Sequence, residues 1–269
     1  MRGASAGSLA SVLSAVDTAV DGGADTATLG DELFAVATAL DGAPPLRRVL
    51  TDPSTDDAAK QGLAAQVFGG KVSEATSTVV TTAVTARWGS SRDLPDALER
   101  AGATAHVVAA DREGGLDDLE DELFRFGRVV AGDPDLRRSL TDRSVPVDAK
   151  QRLVGTLLDG KANGHSASLA RQAVRARTGS FERALADFGD VAAERRRRLL
   201  ATVRTAYELG DDEKQRLAAA LGRQYGREVH VNAIVDPSVI GGIAVQIGDE
   251  IIDGTVAGRL EDARRRIGG

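Results

Sequence analysis

The chain has 269 residues and a formal net charge of −6, an acidic balance that argues against a general nucleic-acid binder. It holds no cysteine, which excludes disulfides and thiol chemistry and suits a cytosolic setting. No apolar run approaches the roughly 20 residues of a membrane helix, which predicts a soluble protein without direct membrane insertion.

Hydrophobic residues make up 42% of the chain but aromatics only 3%. Its cores must therefore be built from Ala, Leu and Val, which suits closely packed helices better than a large ligand pocket. Residues 1–9 carry one arginine and a run of small residues ahead of a weak apolar stretch, and do not form a signal peptide.

Residues 4–20 place Leu9, Val12, Leu13, Val16 and Val20 on one stripe and predict a first helix, broken by Asp21-Gly22-Gly23. Residues 29–40 predict a second, with Leu29, Leu33, Val36 and Leu40 on one face and Asp31-Glu32 in its first turn, where acidic side chains complement the helix dipole. Gly42 through Pro45 end it. A short helical turn at 46–50 leads to Thr51 or Asp52 as a cap ahead of Pro53. Residues 56–68, stopped by Gly69-Gly70, and residues 73–87 are the fourth and fifth helices.

Residues 94–110 continue as a helix whose only breaker is Gly102. Residues 116–130 follow with the stripe Leu116, Leu119, Leu123, Phe126 and Val130 behind an acidic start. A turn at Leu136 leads to helices over 147–158 and 166–177, and 181–200 forms a long helix carrying Glu194 and the run Arg195–Arg198. The wet face of that helix is the plain reading of the four arginines, although so many in succession span more than a turn.

Beyond Leu200 the pattern changes. Residues 201–208 read as a strand, 211–225 as an amphipathic helix, and 229–235, 243–247 and 250–252 as strands of alternating polarity. Residues 256–267 close the chain as a helix behind Asp253-Gly254-Thr255. Gly241-Gly242, between two apolar segments, suggests a bend or a close backbone approach, most simply a bent hairpin.

An internal duplication runs through the first two thirds. L-R-R-V-L-T-D at Leu46–Asp52 returns as L-R-R-S-L-T-D at Leu136–Asp142, and without a gap 25 of the 60 positions in 31–90 equal their partners in 121–180. Under the same ninety-residue offset, residues 94–110 both close the first copy and match 4–20, the opening helix. One helix shared by both copies satisfies this, and no Pro/Gly/Ser-rich linker stands there. The expected fold is mostly α: two tandem helical-bundle domains, 1–93 and 94–200, sharing helix 94–110, then a small α/β domain (β-α-β-β-α) over 201–269.

No catalytic, cofactor or metal motif emerges. His106, His165 and His230 lie in different elements, too dispersed for a metal site, and a packed or surface role suits His106 better than ligation. Gly155 to Lys161 fits G-x-x-x-x-G-K, but Ala162 stands where Ser or Thr must hold Mg²⁺, and a helix end precedes it instead of a strand. A helix C-cap followed by a lysine accounts for it. The duplicated Ala-rich unit looks like a protein-binding scaffold, which leaves open a helical adaptor unrelated to any larger machine.

The tail narrows this. V-N-A-I-V-D-P-S-V-I-G-G-I-A-V-Q-I-G-D-E-I-I-D-G-T-V-A-G-R-L, Val231 to Leu260, resembles the C-terminal signature of the delta subunit family of bacterial F-type ATP synthases, relatives of the mitochondrial oligomycin-sensitivity-conferring protein. D-P-S-x-x-G-G at Asp236–Gly242 and I-D-G-T-V-x-G-R-L at Ile252–Leu260 carry the likeness, which extends over about residues 95–269.

The resemblance implies a non-catalytic stator subunit, without cofactor or metal, linking the F1 catalytic head to the peripheral stalk at the cytoplasmic face of the plasma membrane. Its expected partners are N-terminal helices of the alpha subunits, received between the first and fifth helices of the helical domain, and b-type stalk subunits, engaged by the C-terminal domain. In the second copy the groove residues would be Leu98, Ala170, Val174 and Arg177. The stalk contact would use Val231, Gly241, Gly242, Ile243 and Ile247. An ordinary member would span 95 onward, so residues 1–93 form an added copy, as in long forms resembling this one in actinobacteria. The Arg-rich composition, 29 Arg to 5 Lys, agrees with that.

Overall fold

The structure is a computed structural model that describes residues 3–142, 144–175, 180–225, 229–237, 239, 241–247 and 250–253. The helical part consists of α1 (Ala4–Asp21), α2 (Thr26–Asp41), α3 (Pro44–Thr51), α4 (Asp57–Phe68), α5 (Glu74–Thr85), α6 (Asp93–Arg112), α7 (Leu116–Gly132), α8 (Pro134–Thr141), α9 (Val147–Leu158), α10 (Gly164–Ala173) and α11 (Phe181–Leu199). The rest is β1 (Leu200–Thr205), α12 (Asp211–Tyr225), β2 (His230–Val235), β3 (Ile243–Ile247) and β4 (Glu250–Asp253). A mostly α chain ending in a small α/β part is the architecture expected from the sequence. Two compact units divide it, Met1–Ala192 and Ala193–Gly269.

The duplication is visible in the element bounds. α3 and α8, and likewise α4 and α9, start and stop at positions separated by the repeat offset, and α1 shifted by that offset falls on α6. α6 packs against α1, α2 and α5 on one side and against α7 and α10 on another. Its apolar and small residues are accordingly enclosed nearly all round: Leu94, Leu98, Ala101, Ala105 and Val108 join the core built from α1 to α5, while Ala103, Val107 and Ala110 are buried as well.

Small residues set the closest approach. An added Cβ on Gly102 would stand 2.8 Å from two Phe34 ring carbons and 2.9 Å from the Gly30 carbonyl, and one on Gly30 would stand 2.6 Å from the His106 ring. The backbones of α2 and α6 can lie this close only because both positions lack a side chain.

α2 begins at Thr26, earlier than the apolar stripe alone implied, because the Asp25 carboxylate accepts from the Thr28 N–H at 2.9 Å and caps the first turn. Asp31 and Glu32 therefore lie outside that first turn. The dipole role expected of them does not apply; they reach other helices instead. α10 is likewise shifted, starting at Gly164 with Asn163 capping Ser166 N–H at 2.8 Å and ending at Ala173.

In the second unit the sheet order is β2-β1-β3-β4. β1 pairs parallel with β2, Val203 opposite Ala233, and antiparallel with β3, Val203 opposite Val245. The bent hairpin expected across Gly241-Gly242 is thus absent, since β1 lies between the two strands. The glycines adopt φ of 62° and 85°, a left-handed conformation that side-chain-bearing residues rarely take. Ala201, Val203, Val245 and Ile247 form the core with Leu209 and Leu221. The helix expected over 256–267 lies outside the described residues.

Candidate protein-interface surfaces

The repeated L-R-R-x-L-T-D is a helix junction made twice. Arg47 is buried and donates from Nη1 to the Leu40 and Asp41 carbonyls at 3.4 and 3.2 Å and to the Asp41 carboxylate at 3.3 Å. It thereby satisfies acceptors left over at the end of α2. Arg137 does the same in the second copy, donating to the Ala131 carbonyl and pairing with Glu182 at 3.5 Å. Leu50 and Leu140 are buried, and Thr51 and Thr141 each return a hydroxyl proton to the carbonyl four residues back at 2.9 Å.

Asp52 and Asp142 accept the N–H groups of Ser54 and Ser144, each at 2.8 Å. The Ser54 hydroxyl and N–H hold Asp52 below the usual carboxylate range, and the Ser144 N–H and hydroxyl do so for Asp142, with Lys60 and Lys150 adding to it. Arg48 and Arg138 are exposed. The motif spends its chemistry on its own backbone.

The glutamate that precedes it in each copy is also engaged internally. Glu32 accepts from the Ser73 N–H at 2.9 Å, the Ser73 hydroxyl at 2.7 Å and the Thr76 hydroxyl at 2.5 Å, tying α2 to the start of α5. Burial pushes its carboxyl up, but these hydrogen bonds outweigh it and leave it below its ordinary value. Glu122 repeats the tie, accepting from the Asn163 N–H at 3.0 Å.

Of the groove residues read from the sequence, Leu98 lies on α6 and Ala170 on α10. Leu98 and Ala170 are both fully enclosed, Val174 is half-buried in the turn after α10, and Arg177 lies outside the described residues. Leu98 belongs to the core built from α1 to α6, and α2 runs along α6 and also touches α10. What remains open is a cleft of about 450 Å³ between α2, α9 and α10, with Ala35, Thr38 and Ala39 facing Gln151, Arg171 and Arg175. α1 and α5 pair in the first copy as α6 and α10 do in the second. There Leu9 and Leu13 of α1 stay half-exposed.

In the sheet unit Val231 and Ile243 are half-buried, Ile247 is buried, and Gly241 and Gly242 are exposed. The apolar side chains that reach solvent are others: Ile251, 68% exposed, with Ile234 and Val235. Ile251 and Ile234 occupy the alternate positions of their strands, on the sheet face opposite the buried Val203 and Val245, where Thr202, Arg204 and Gln246 accompany them. Of the contacts the resemblance implies, Val231, Ile243 and Ile247 lie on the covered face with Val203 and Val245, whereas Ile234 and Ile251 lie on the open one. A second cleft, about 410 Å³, runs between α12 and β2, lined by Lys214, Ala218, Gly222, Val229 and Val231.

Among the described residues no cluster of three His, Cys, Asp or Glu side chains could hold a metal, and no helix is long and apolar enough to cross a membrane.

Residues 98–267 match the family described as ATP synthase delta (OSCP) subunit. The chain is 49% identical over 244 residues to the ATP synthase subunit delta of Streptomyces avermitilis, covering 90% of this chain and 89% of that one. To the protein of that name from Streptomyces griseus it is 46% identical over 271 residues, covering 100% of both, so the likeness includes the added first copy. A solved chain of the Toxoplasma gondii mitochondrial ATP synthase hexamer aligns at 15% identity with a TM-score of 0.33, covering 62% of this chain and 95% of that one. The family match over most of the chain and the identity to full-length relatives decide the assignment: this chain belongs to the ATP synthase delta (OSCP) subunit family.

Proposed function

We propose that the chain is a structural, non-catalytic subunit of a proton-translocating F-type ATP synthase, acting as the stator link between the catalytic head and the peripheral stalk at the cytoplasmic face of the plasma membrane. The observation that carries this is the end-to-end match to proteins named ATP synthase subunit delta. In this reading the helical unit receives N-terminal helices of alpha subunits and the sheet unit engages b-type stalk subunits. The link holds the head against rotor torque, so that proton-driven rotation yields ATP.

Packing supports the domain roles in this reading. Residues 1–93 and 94–200 act as two helical domains sharing α6, and a helix buried on all sides gives a joint without a hinge. Since α2 already lies on α6 beside α10, the first-and-fifth-helix pairing accessible to the head is that of α1 and α5. The open sheet face with Ile234 and Ile251 takes the stalk.

Isothermal titration of the full chain with the N-terminal segment of the synthase alpha subunit tests this. Leu9 is half-exposed and outside the core cluster, so Leu9→Asp should weaken that binding at least about tenfold, the scale of losing one apolar anchor of roughly 1.4 kcal/mol, while Val174→Asp leaves it unchanged. Loss with Val174→Asp alone would return the groove to the second copy. Absence of binding to both alpha and b-type subunits would overturn the stator reading itself.

A further inference from the structure

Two of the three histidines in the chain meet inside the helical unit. His106 Nδ1 on α6 stands 3.4 Å from His165 Nδ1 on α10. The outer nitrogens each face a carboxylate: His106 Nε2 lies 3.1 Å from Asp31 on α2, and His165 Nε2 lies 3.3 Å from Glu113 at the end of α6. The result is a row, Asp31–His106–His165–Glu113, with imidazoles 1% and 10% exposed. Phe34 stacks on His106 with ring centroids 5.4 Å apart.

The repeat does not explain this row. Under the ninety-residue offset His106 corresponds to Val16 and Arg196, and His165 to Ala75. The pair exists only where the two copies meet.

Counting protons fixes the state that satisfies it. Each outer contact needs an N–H, because a carboxylate only accepts; the inner contact needs one N–H and one bare nitrogen. That makes three protons on four nitrogens, hence one positive charge shared by two rings. With two protons, one contact loses its donor. With four, two N–H groups and two like charges face each other inside the protein, where little water screens them.

We propose that the row is a single-charge latch fastening the first copy to the second, and that a second proton releases it. The charged groups around it are Asp31 from α2, Glu113 from the end of α6 and Arg171 from α10, which acts on Asp31. One shared charge balances this set and two do not.

The sign follows from proton uptake. Well below about pH 6.5, where free histidines gain their protons, an opened chain binds two, whereas the contacts of the closed row leave room for one. The closed form therefore weakens as pH falls, because the opened state binds more protons. The effect is at most tenfold in the open population per pH unit for one proton of difference. This latch is independent of the stator reading.

The test uses the full chain labelled with ¹⁵N-histidine, His230 being assigned from a His230→Gln variant. At pH 7 both Nε2 atoms of His106 and His165 should be protonated, with one proton shared between the two Nδ1 atoms. An unprotonated Nε2 in either ring would overturn the proposal without any variant having to fold. Hydrogen exchange, corrected for intrinsic rates, supplies the second arm. Between pH 6 and 5 the amides of α2, α6 and α10 should open up to about tenfold more per pH unit in the wild type, and His165→Gln should flatten that dependence. Equal pH dependence in wild type and variant would also overturn it.

Discussion

Replacing Gly102 by Ala sets two effects of known size against each other. In an exposed helix interior the change gains about 1 kcal/mol of helix propensity. Here the new methyl would sit 2.8 Å from two Phe34 ring carbons and 2.9 Å from the Gly30 carbonyl, against an optimum of roughly 3.5–4.0 Å. Phe34 cannot swing aside freely, since its ring lies 5.4 Å from His106 and 6.2 Å from Phe188. Overpacking costs about 1–3 kcal/mol, and a methyl blocked by a ring and a backbone carbonyl at once belongs at the upper end, so Gly102→Ala should lose about 2 kcal/mol net of the propensity gain. At about 2–4 °C per kcal/mol for a unit of this size, the melting temperature of the helical unit falls by several degrees. Gly62 in α4 is the control, because a Cβ there meets nothing within 4 Å; Gly62→Ala should raise stability by up to about 1 kcal/mol. Calorimetry on the wild type and both variants gives the answer. If Gly102→Ala stabilises as Gly62→Ala does, the close crossing of α2 and α6 is wrong.

The two motif arginines should differ despite their identical sequence context. Arg47→Ala removes a buried charged donor from three acceptors and should cost about 2–3 kcal/mol, whereas Arg137, with its side chain 46% exposed, should cost under about 1 kcal/mol; urea denaturation compares them. Asp31 is held below its ordinary value first by its hydrogen bond to His106, against some burial. Its folded value being depressed, its contribution is present above the ordinary carboxylate range and lost as pH falls through the folded value. Asp31→Asn should therefore flatten the acid limb of a stability–pH curve while lowering stability at neutral pH.

Much of this was legible because it is periodic. The ninety-residue echo foretold paired elements, and the stripes of Val12, Val16 and Val20 or of Leu119, Leu123 and Phe126 foretold buried faces that are buried here. Element starts were less legible where a cap decides them: Asp25 extends α2 ahead of its apolar stripe, which moved Asp31 and Glu32 out of the first turn and onto other helices. Strand order was beyond reach of alternation, because β1 separates β2 and β3 by long-range pairing that no local pattern encodes. The groove residues show the same limit. Leu98 and Ala170 have the right chemistry for a helix-binding surface, yet both are fully enclosed, Leu98 within the core of the first copy. The histidine row was also hidden, since His106 and His165 stand far apart in the chain at no recognisable spacing, and only packing brings their Nδ1 atoms together.

Reconstitution addresses the central claim most directly. A synthase lacking this subunit, assembled with its head, b-type stalk subunits and membrane sector in sealed vesicles, should retain ATP hydrolysis in the head but neither pump protons nor make ATP from an imposed gradient. Adding the full chain back should restore both coupled activities, with no change in the hydrolysis rate of the isolated head. Coupled synthesis persisting without the chain would contradict the stator account.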